Sequence, residues 1–160
     1  MACNNLGAIY LGKGECQFCV WAPLVQKVEV HMVSPQERIV PLNSGARGYH
    51  QGVVEDVGPG TAYLYRLDAQ KERPDPASRY QPEGVHGPSQ IIDAGFPWDD
   101  RFWHGIPIKD YILYELHVGT YTSEGTFEAI IPHLDGLKEL GITALELMPV
   151  AQFPGKRNWG

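Results

Sequence analysis

The sequence predicts an all-β sandwich followed by the first βαβ unit of a larger α/β domain. Three observations support this prediction. The first half of the chain holds short segments rich in Val, Ile and Tyr, and Gly, Pro, Asn and Ser residues separate them. The middle of the chain is dense in Pro and Gly, and the last third has two apolar segments with a helical pattern between them.

The candidate strands of the first half recur at intervals of roughly 8–12 residues, which is typical of a sandwich. In one of them Val28, Val30 and Met32 alternate with polar residues, as expected of a strand with one buried face. We therefore predict an immunoglobulin-like β-sandwich over residues 1–90. Its candidate strands are Cys16–Ala22, Lys27–Val33, Arg38–Leu42, Tyr49–Asp56 and Ala62–Asp68.

The segment from Arg73 to Pro107 lacks hydrophobic periodicity and is rich in Pro and Gly. Such a segment is typical of a linker or of a loop packed across the face of a domain. Ser89–Asp93 is a candidate short strand within it. We predict that residues 91–109 link the sandwich to a second domain that begins at residue 110.

The last third of the chain has the pattern of a parallel βαβ unit. Tyr111–Gly119 and Ile142–Val150 are nearly continuous apolar strand candidates. Thr126 is a candidate N-cap of the intervening helix, and Gly141 is a candidate C′ residue just past its end. Pro132 either begins this helix or kinks it. Five apolar residues recur at spacings of three and four, which predicts that they share one face of this helix: Phe127, Ile130, Leu134, Leu137 and Leu140.

One βαβ unit cannot bury both faces of its strands, because parallel sheets occur in larger domains with both faces covered. A closed (β/α)8 barrel needs roughly 250 residues. We therefore expect residues 110–160 to be the incomplete start of such a domain. By itself this part is expected to be poorly ordered, to dock on the sandwich, or to dimerise through its exposed strands.

Composition excludes several classes of function. The net charge of −6 and the pI of about 5.4 argue against nucleic-acid binding, which needs clustered Lys and Arg. No signal peptide and no apolar run of about 20 residues is visible, so we predict a cytoplasmic protein without membrane contact. The three cysteines, Cys3, Cys16 and Cys19, are an odd number, which predicts free thiols in a reducing compartment.

Three segments carry a resemblance to a known family. FCVWAP (Phe18–Pro23) is similar to the first sandwich strand of glycogen-active enzymes of the α-amylase superfamily. PDPASRYQPEGVHGPSQ (Pro74–Gln90) resembles the interdomain segment of malto-oligosyltrehalose trehalohydrolases. YELHVGTYTSEGTF (Tyr114–Phe127) and LGITALELMPVAQFPGKRNWG (Leu140–Gly160) resemble the first two barrel strands of the same enzymes.

The resemblance implies a truncated (β/α)8 TIM barrel after the sandwich. It also implies a retaining glycoside hydrolase that cleaves the α-1,4-glucosidic bond next to the trehalose unit of malto-oligosyltrehalose. The catalytic carboxylates of the family follow its fourth, fifth and seventh barrel strands, so we expect none within these 160 residues. At the carboxyl ends of the strands present, the resemblance implies that Trp159 and Asn158 contact a maltodextrin substrate. His117 on the first barrel strand could also contact the sugar, and its structural alternative is a hydrogen-bonded residue that fills the barrel.

Other residues invite functional interpretations with structural alternatives. Glu115 and Glu146 lie on the two barrel strands and could form a carboxylate pair, but a structural role is favoured because the family's catalytic carboxylates come later. Cys16 and Cys19 have the spacing of half a zinc site, yet no second ligand pair follows. We therefore expect no metal and no cofactor. Trp21 is expected to belong to the sandwich.

Two rival functions remain open at this point. A glycogen branching enzyme has the same layout, and the PEGVHGPS segment (Pro82–Ser89) argues against it. A non-catalytic glycan-binding or interaction module is the other rival. For the 160-residue chain itself we expect no hydrolysis.

Overall fold

The computed structural model describes residues 5–151 together with Phe153 and Gly155. The chain divides into two compact units, and the division falls between Phe96 and Pro97. The first unit contains only strands and one short 3-10 helix (Ala46–Gly48) within its described residues. In chain order its strands are β1 (Gly7–Gly12), β2 (Glu15–Trp21), β3 (Val28–Ser34), β4 (Arg38–Pro41), β5 (Asn43–Ser44), β6 (Tyr49–Val54), β7 (Ala62–Leu67), β8 (Lys71–Arg73) and β9 (Ser89–Gln90).

These strands form two antiparallel sheets. The first sheet has the order β1-β2-β6-β5, and the second has the order β4-β3-β7-β8, with β9 also paired to β7. Alternate residues of β2 and β7 point into the space between the sheets. The predicted all-β sandwich is therefore confirmed.

Three aromatic rings lie at the centre of the sandwich core. Phe18 meets Tyr63 edge to face at a centroid distance of 5.0 Å, and Tyr63 meets Tyr65 in the same manner at 5.9 Å. Pairs of this geometry contribute about 0.5–1.5 kcal/mol each beyond the area they bury. The aliphatic part of the core surrounds them: Val20, Val28, Val30, Met32, Leu42, Val54, Val57 and Ile91.

The five predicted strands are present as β2, β3, β4, β6 and β7, with ends that differ by a few residues. Of the predicted strand Ser89–Asp93, the first two residues form β9 (Ser89–Gln90), and Ile91 beyond β9 is buried in the core. Sequence reasoning missed β1, β5 and β8. The last two are short and fully exposed, so no alternation of apolar and polar residues marks them.

The cysteines differ from the prediction. Cys19 is disulfide-bonded, so the prediction of free thiols is wrong for this residue. Cys16 is a free thiol buried in the sandwich core, where burial raises its pKa to about 12. The two sulfur atoms cannot act together as half a zinc site, because a disulfide sulfur is not a thiolate ligand.

The second unit is a strand–helix–strand arrangement. A 3-10 turn (Ile108–Asp110) precedes β10 (Leu113–His117), which pairs in parallel with β11 (Ala144–Met148). Between the strands lie α1 (Val118–Tyr121), α2 (Phe127–Ile130), a 3-10 turn (Ile131–His133) and α3 (Leu134–Glu139). The predicted parallel βαβ unit is therefore present. No helix in the described part of the chain is long and apolar enough to cross a bilayer.

The ends of the helical segment match the prediction. The Oγ1 atom of Thr126 accepts a hydrogen bond from the Ala129 backbone N–H at 3.3 Å, and Gly141 has a φ of +97°. Pro132 lies in the 3-10 turn between α2 and α3, so it interrupts the helix rather than beginning it. Proline cannot donate a backbone hydrogen bond, which favours such an interruption. Of the predicted helical face, only Ile130 and Leu137 are buried.

The two faces of the β10–β11 pair differ in character. On one face Tyr114, Leu116 and Leu145 pack with Val118 and Ile130. On the opposite face the in-register pairs are Leu113 with Ala144, Glu115 with Glu146, and His117 with Met148. Leu113, on this second face, is 58% exposed.

Candidate functional site

Of the three residues predicted to contact a substrate, the structure describes only His117. His117 is the last residue of β10 and is half-buried at the carboxyl end of that strand. Its imidazole lies against Gly119, since a Cβ added there would come within 3.2 Å of His117 Cε1. Asn158 and Trp159 lie outside the described residues. The predicted grouping of these three side chains therefore stays a prediction.

Glu115 and Glu146 occupy directly adjacent positions on the parallel strands β10 and β11. Both side chains are exposed on the face away from the helices. Within residues 5–151 neither carboxylate takes part in a hydrogen bond or an ion pair. Their predicted structural role therefore stays a prediction.

The sandwich carries a groove of about 490 Å³ that sequence reasoning did not predict. The groove lies at the ends of β2 and β7, which belong to opposite sheets. The segment that follows β8 runs beside it. Apolar residues, two aromatic rings and three polar side chains line it. The lining residues are Val20, Trp21, Ala22, Tyr65, Leu67, Arg73, Pro74, Asp75, Pro76, Gln81 and Val85.

Trp21 belongs to the sandwich as the last residue of β2. Its side chain is 57% exposed and does not pack in the core. Cys16, Phe18 and Val20 point into the core, and strand alternation therefore turns Trp21 outward. Its indole Nε1 donates a hydrogen bond to the carbonyl oxygen of Arg47 at 3.0 Å, which holds the ring at the mouth of the groove.

Asp75 is a buried carboxylate beside this groove, and its side chain is hydrogen-bonded on both oxygens. The Tyr63 hydroxyl donates to Oδ2 at 2.7 Å, and the Ala77 backbone N–H donates to Oδ1 at 2.8 Å. The Asp75 backbone N–H donates to Ser89 Oγ at 3.0 Å. The residue is only 3% exposed. These bonds attach the Pro-rich segment to β7 and β9.

Further bonds hold the same segment on the sandwich. Arg79 Nη1 donates to the carbonyl oxygen of Ala8 at 2.9 Å, and the Gln90 backbone N–H donates to the carbonyl oxygen of Tyr80 at 2.9 Å. The sequence predicted either a linker or a loop packed across a domain face, and residues 74–90 form a loop packed on the sandwich. The sequence signal for this was the Asp-Pro-Ala order, because Asp commonly accepts a hydrogen bond from the backbone two residues on.

Burial raises the pKa of the Asp75 carboxyl above its ordinary value of 3.8, although the bonds from Tyr63 and Ala77 act in the opposite direction. The folded chain thus keeps this proton at pH values where the unfolded chain has lost it. The contribution of Asp75 to the free energy of unfolding is therefore largest below the unfolded pKa and declines as the pH rises through the folded pKa.

The Asp75→Asn variant removes this titration. We expect the free energy of unfolding of the wild type, relative to Asp75→Asn, to decrease as the pH rises above the ordinary pKa of 3.8. Urea denaturation at several pH values measures this difference. The control is Asp99→Asn, which changes an exposed carboxylate. A wild-type advantage that grows with pH would contradict a raised pKa for Asp75.

Comparison with known proteins gives the class and then the particular relatives. Residues 5–81 match the model of carbohydrate-binding module 48, the isoamylase N-terminal domain. A protein of Salmonella typhimurium assigned as an alpha amylase has the same fold over 99% of this chain, with a TM-score of 0.84 and 39% identity. The first unit is thus an N-terminal all-β module of the kind found in enzymes of the α-amylase family.

The particular relatives are malto-oligosyltrehalose trehalohydrolases. The enzyme of Saccharolobus solfataricus is 50% identical over 143 residues, which are 89% of this chain and 25% of that protein. The enzyme of Deinococcus radiodurans is 42% identical over 98% of this chain and 26% of its own length. The resemblance stated from the sequence is confirmed, and the chain spans about a quarter of the length of these relatives.

Proposed function

We propose that this chain is the N-terminal quarter of a glycoside hydrolase that cleaves the α-1,4-glucosidic bond next to the trehalose unit of malto-oligosyltrehalose. The products are trehalose and a shorter maltodextrin. The observation that carries this proposal is the similarity of nearly the whole chain to proteins named malto-oligosyltrehalose trehalohydrolase.

The proposed domain arrangement is a sandwich over residues 1–90, a linker over 91–109 and the start of a (β/α)8 barrel over 110–160. The parallel pairing of β10 with β11 supports the barrel assignment. The faces of this strand pair support it as well. Helices cover one face, as they cover the outside of a barrel, and the exposed face with Leu113 and Glu115 corresponds to the side that a closed barrel fills with its own side chains.

In this proposal the chain contributes the edge of the sugar-binding pocket and no catalytic carboxylate. His117, Asn158 and Trp159 would contact the substrate at the carboxyl ends of the first two barrel strands. An imidazole can donate or accept a hydrogen bond with a sugar hydroxyl. An indole offers a flat apolar face with one N–H donor. The nucleophile and the acid/base carboxylate of the retaining reaction would follow later strands.

A second candidate function is glycan binding by the sandwich without catalysis. The match of residues 5–81 to a carbohydrate-binding module favours it. A branching-type transferase is the third candidate, and the 50% identity to a trehalohydrolase favours hydrolysis over it.

Location and assembly also remain proposals. We propose a cytoplasmic protein, and the Cys19 disulfide is the observation against this, because disulfides are rare in reducing compartments. We also propose that the 160-residue chain alone dimerises through the exposed strands β10 and β11, since unpaired strand edges are templates for pairing.

Two polypeptides assayed side by side test the proposed reaction. One is the 160-residue chain, and the other is the product of the whole reading frame that contains it. We expect the whole product to release trehalose from malto-oligosyltrehalose and the 160-residue chain to release none. Branched glucan from the whole product would instead identify a transferase.

Trehalose release by the 160-residue chain would contradict the proposal that its catalytic carboxylates lie elsewhere. In that case Glu115→Gln and Glu146→Gln become the decisive variants, because these carboxylates are adjacent on β10 and β11. Exposed Glu55, which lies on the other unit, provides the matched control Glu55→Gln.

A further inference from the structure

The face of the β10–β11 pair that the helices leave uncovered combines apolar side chains with two carboxylates. Glu115 and Glu146 are in register on this face, and Leu113 and Ala144 form the neighbouring pair. Leu113 and both glutamates are exposed. Parallel strands occur in sheets that are covered on both faces. We therefore expect another surface to cover this face as well.

Covering this face takes two carboxylates out of water. A buried carboxylate is strongly unfavourable unless a cation or hydrogen-bond donors compensate it. No ion pair among the described residues includes Glu115 or Glu146. The lysines and the arginine that the structure describes in the second unit lie elsewhere: Lys109 in the turn before β10, Lys138 on α3 and Arg101 over the ring of Phe102. The covering surface is thus required to bring positive charge to this point.

Charge complementarity distinguishes the surfaces that could cover this face. A second copy packed face to face would bring its own Glu115 and Glu146 against these two and place four carboxylates together. The net charge of −6 opposes such packing as well. A segment with a guanidinium or ammonium group is complementary, since one cation can bind both carboxylates. This chain spans 25% and 26% of two of its trehalohydrolase relatives, so most of such a polypeptide is available to supply the segment.

We propose that the uncovered face of β10 and β11 binds a segment from the rest of the same polypeptide, and that an arginine or lysine of this segment lies between Glu115 and Glu146. The inference rests on the proposed function, which assigns β10 and β11 to a barrel and this face to the barrel interior. The three groups form a carboxylate–cation–carboxylate bridge. The bridge fixes the position of the covering segment and takes no part in bond cleavage.

Glutamine substitutions in two polypeptides test the proposal by the sign of the change in melting temperature. In the product of the whole reading frame, Glu146→Gln leaves a buried cation with one carboxylate, so we expect the melting temperature to fall by at least about 3 °C. In the 160-residue chain this carboxylate is exposed to water, so the same substitution should leave the melting temperature unchanged or raise it. Glu115→Gln should behave in the same way. The matched control is Glu139→Gln, which changes an exposed carboxylate on α3 and should have no effect in either polypeptide.

Carbodiimide coupling of carboxylates to glycine ethyl ester supplies a second measurement, which needs no variant. Mass spectrometry should find Glu115 and Glu146 modified in the 160-residue chain and at least tenfold less modified in the whole product. Glu139 should be modified equally in both polypeptides. Equal modification of Glu115 and Glu146 in the two polypeptides would show that the face stays in water, and it would overturn the proposal.

The signs of the two substitutions decide the remaining outcomes. A melting temperature of the whole product that rises or stays constant would mean that no cation lies between the carboxylates. A comparable fall in the 160-residue chain would show that the cation belongs to this chain, and it would also overturn the proposal. Trehalose release by the whole product together with either result would leave the proposed function standing. A fall confined to a whole product that releases no trehalose would support the bridge and contradict the proposed function.

Discussion

Replacing Phe18 with alanine is expected to lower the free energy of unfolding of the sandwich by about 3–5 kcal/mol. Phe18 is fully buried on the inner face of β2 and meets the ring of Tyr63 at 5.0 Å. Its removal loses the transfer free energy of the ring and leaves a cavity between the sheets. Val20 and Tyr63 are themselves packed in the core, so the surroundings can close this cavity only in part.

Urea denaturation followed by far-ultraviolet circular dichroism measures this loss. Val53→Ala is the matched control, because Val53 lies on the neighbouring strand β6 and is 54% exposed. We expect the control to change the free energy of unfolding by no more than about 0.5–1 kcal/mol. Equal losses in the two variants would mean that Phe18 is not a central residue of the core.

The Gly48→Ala variant is expected to lose about 2–5 kcal/mol of stability through a different cause. Gly48 has a φ of +80°, a conformation that costs a residue with a side chain about 1–2 kcal/mol. The added Cβ would also lie 2.5 Å from the Cα of Pro23, and overpacking typically costs about 1–3 kcal/mol. The carbonyl oxygen of Gly48 accepts a hydrogen bond from the Ala22 backbone N–H at 2.8 Å, so the backbone cannot move away freely.

Thermal denaturation of the Gly48→Ala and Gly58→Ala variants measures this loss of stability. The comparison separates the cost of the positive φ and of the close contact at Gly48 from the general cost of replacing a loop glycine. A Cβ at Gly58 would meet no atom within 4 Å. We expect the Gly58 variant to retain the wild-type melting temperature within a few degrees, and the Gly48 variant to melt well below it. A Gly48 variant as stable as the Gly58 variant would show that the turn opens at little cost.

The strands of the sandwich could be predicted where alternation marks a buried face. Val28, Val30 and Met32 are all fully buried, as their spacing indicated. The strand β5 consists of two exposed residues and exists only because it pairs with β6, so its own sequence holds no signal. Local pattern thus predicts the central strands, whereas edge strands depend on partners that are distant in sequence.

The candidate site was less accessible to sequence reasoning than the fold. The exposure of Trp21 followed from the same alternation that buries Phe18 and Val20, but the size of the indole suggested burial instead. The bond between Asp75 and Tyr63 joins a loop to a strand, and no local pattern specifies such a contact. A groove between two sheets is a property of their packing, so it appears only in the three-dimensional structure.

The register of β10 against β11 has an electrostatic consequence for the second unit. Parallel strands lie about 4.8 Å apart, so the in-register residues Glu115 and Glu146 carry two negative charges on neighbouring backbones of the same sheet face. Like charges placed side by side repel and weaken the pairing of the strands. A guanidinium or ammonium group placed between the two carboxylates would attract both of them. Glu115 and Glu146 would then stabilise the pairing of β10 with β11 instead of weakening it.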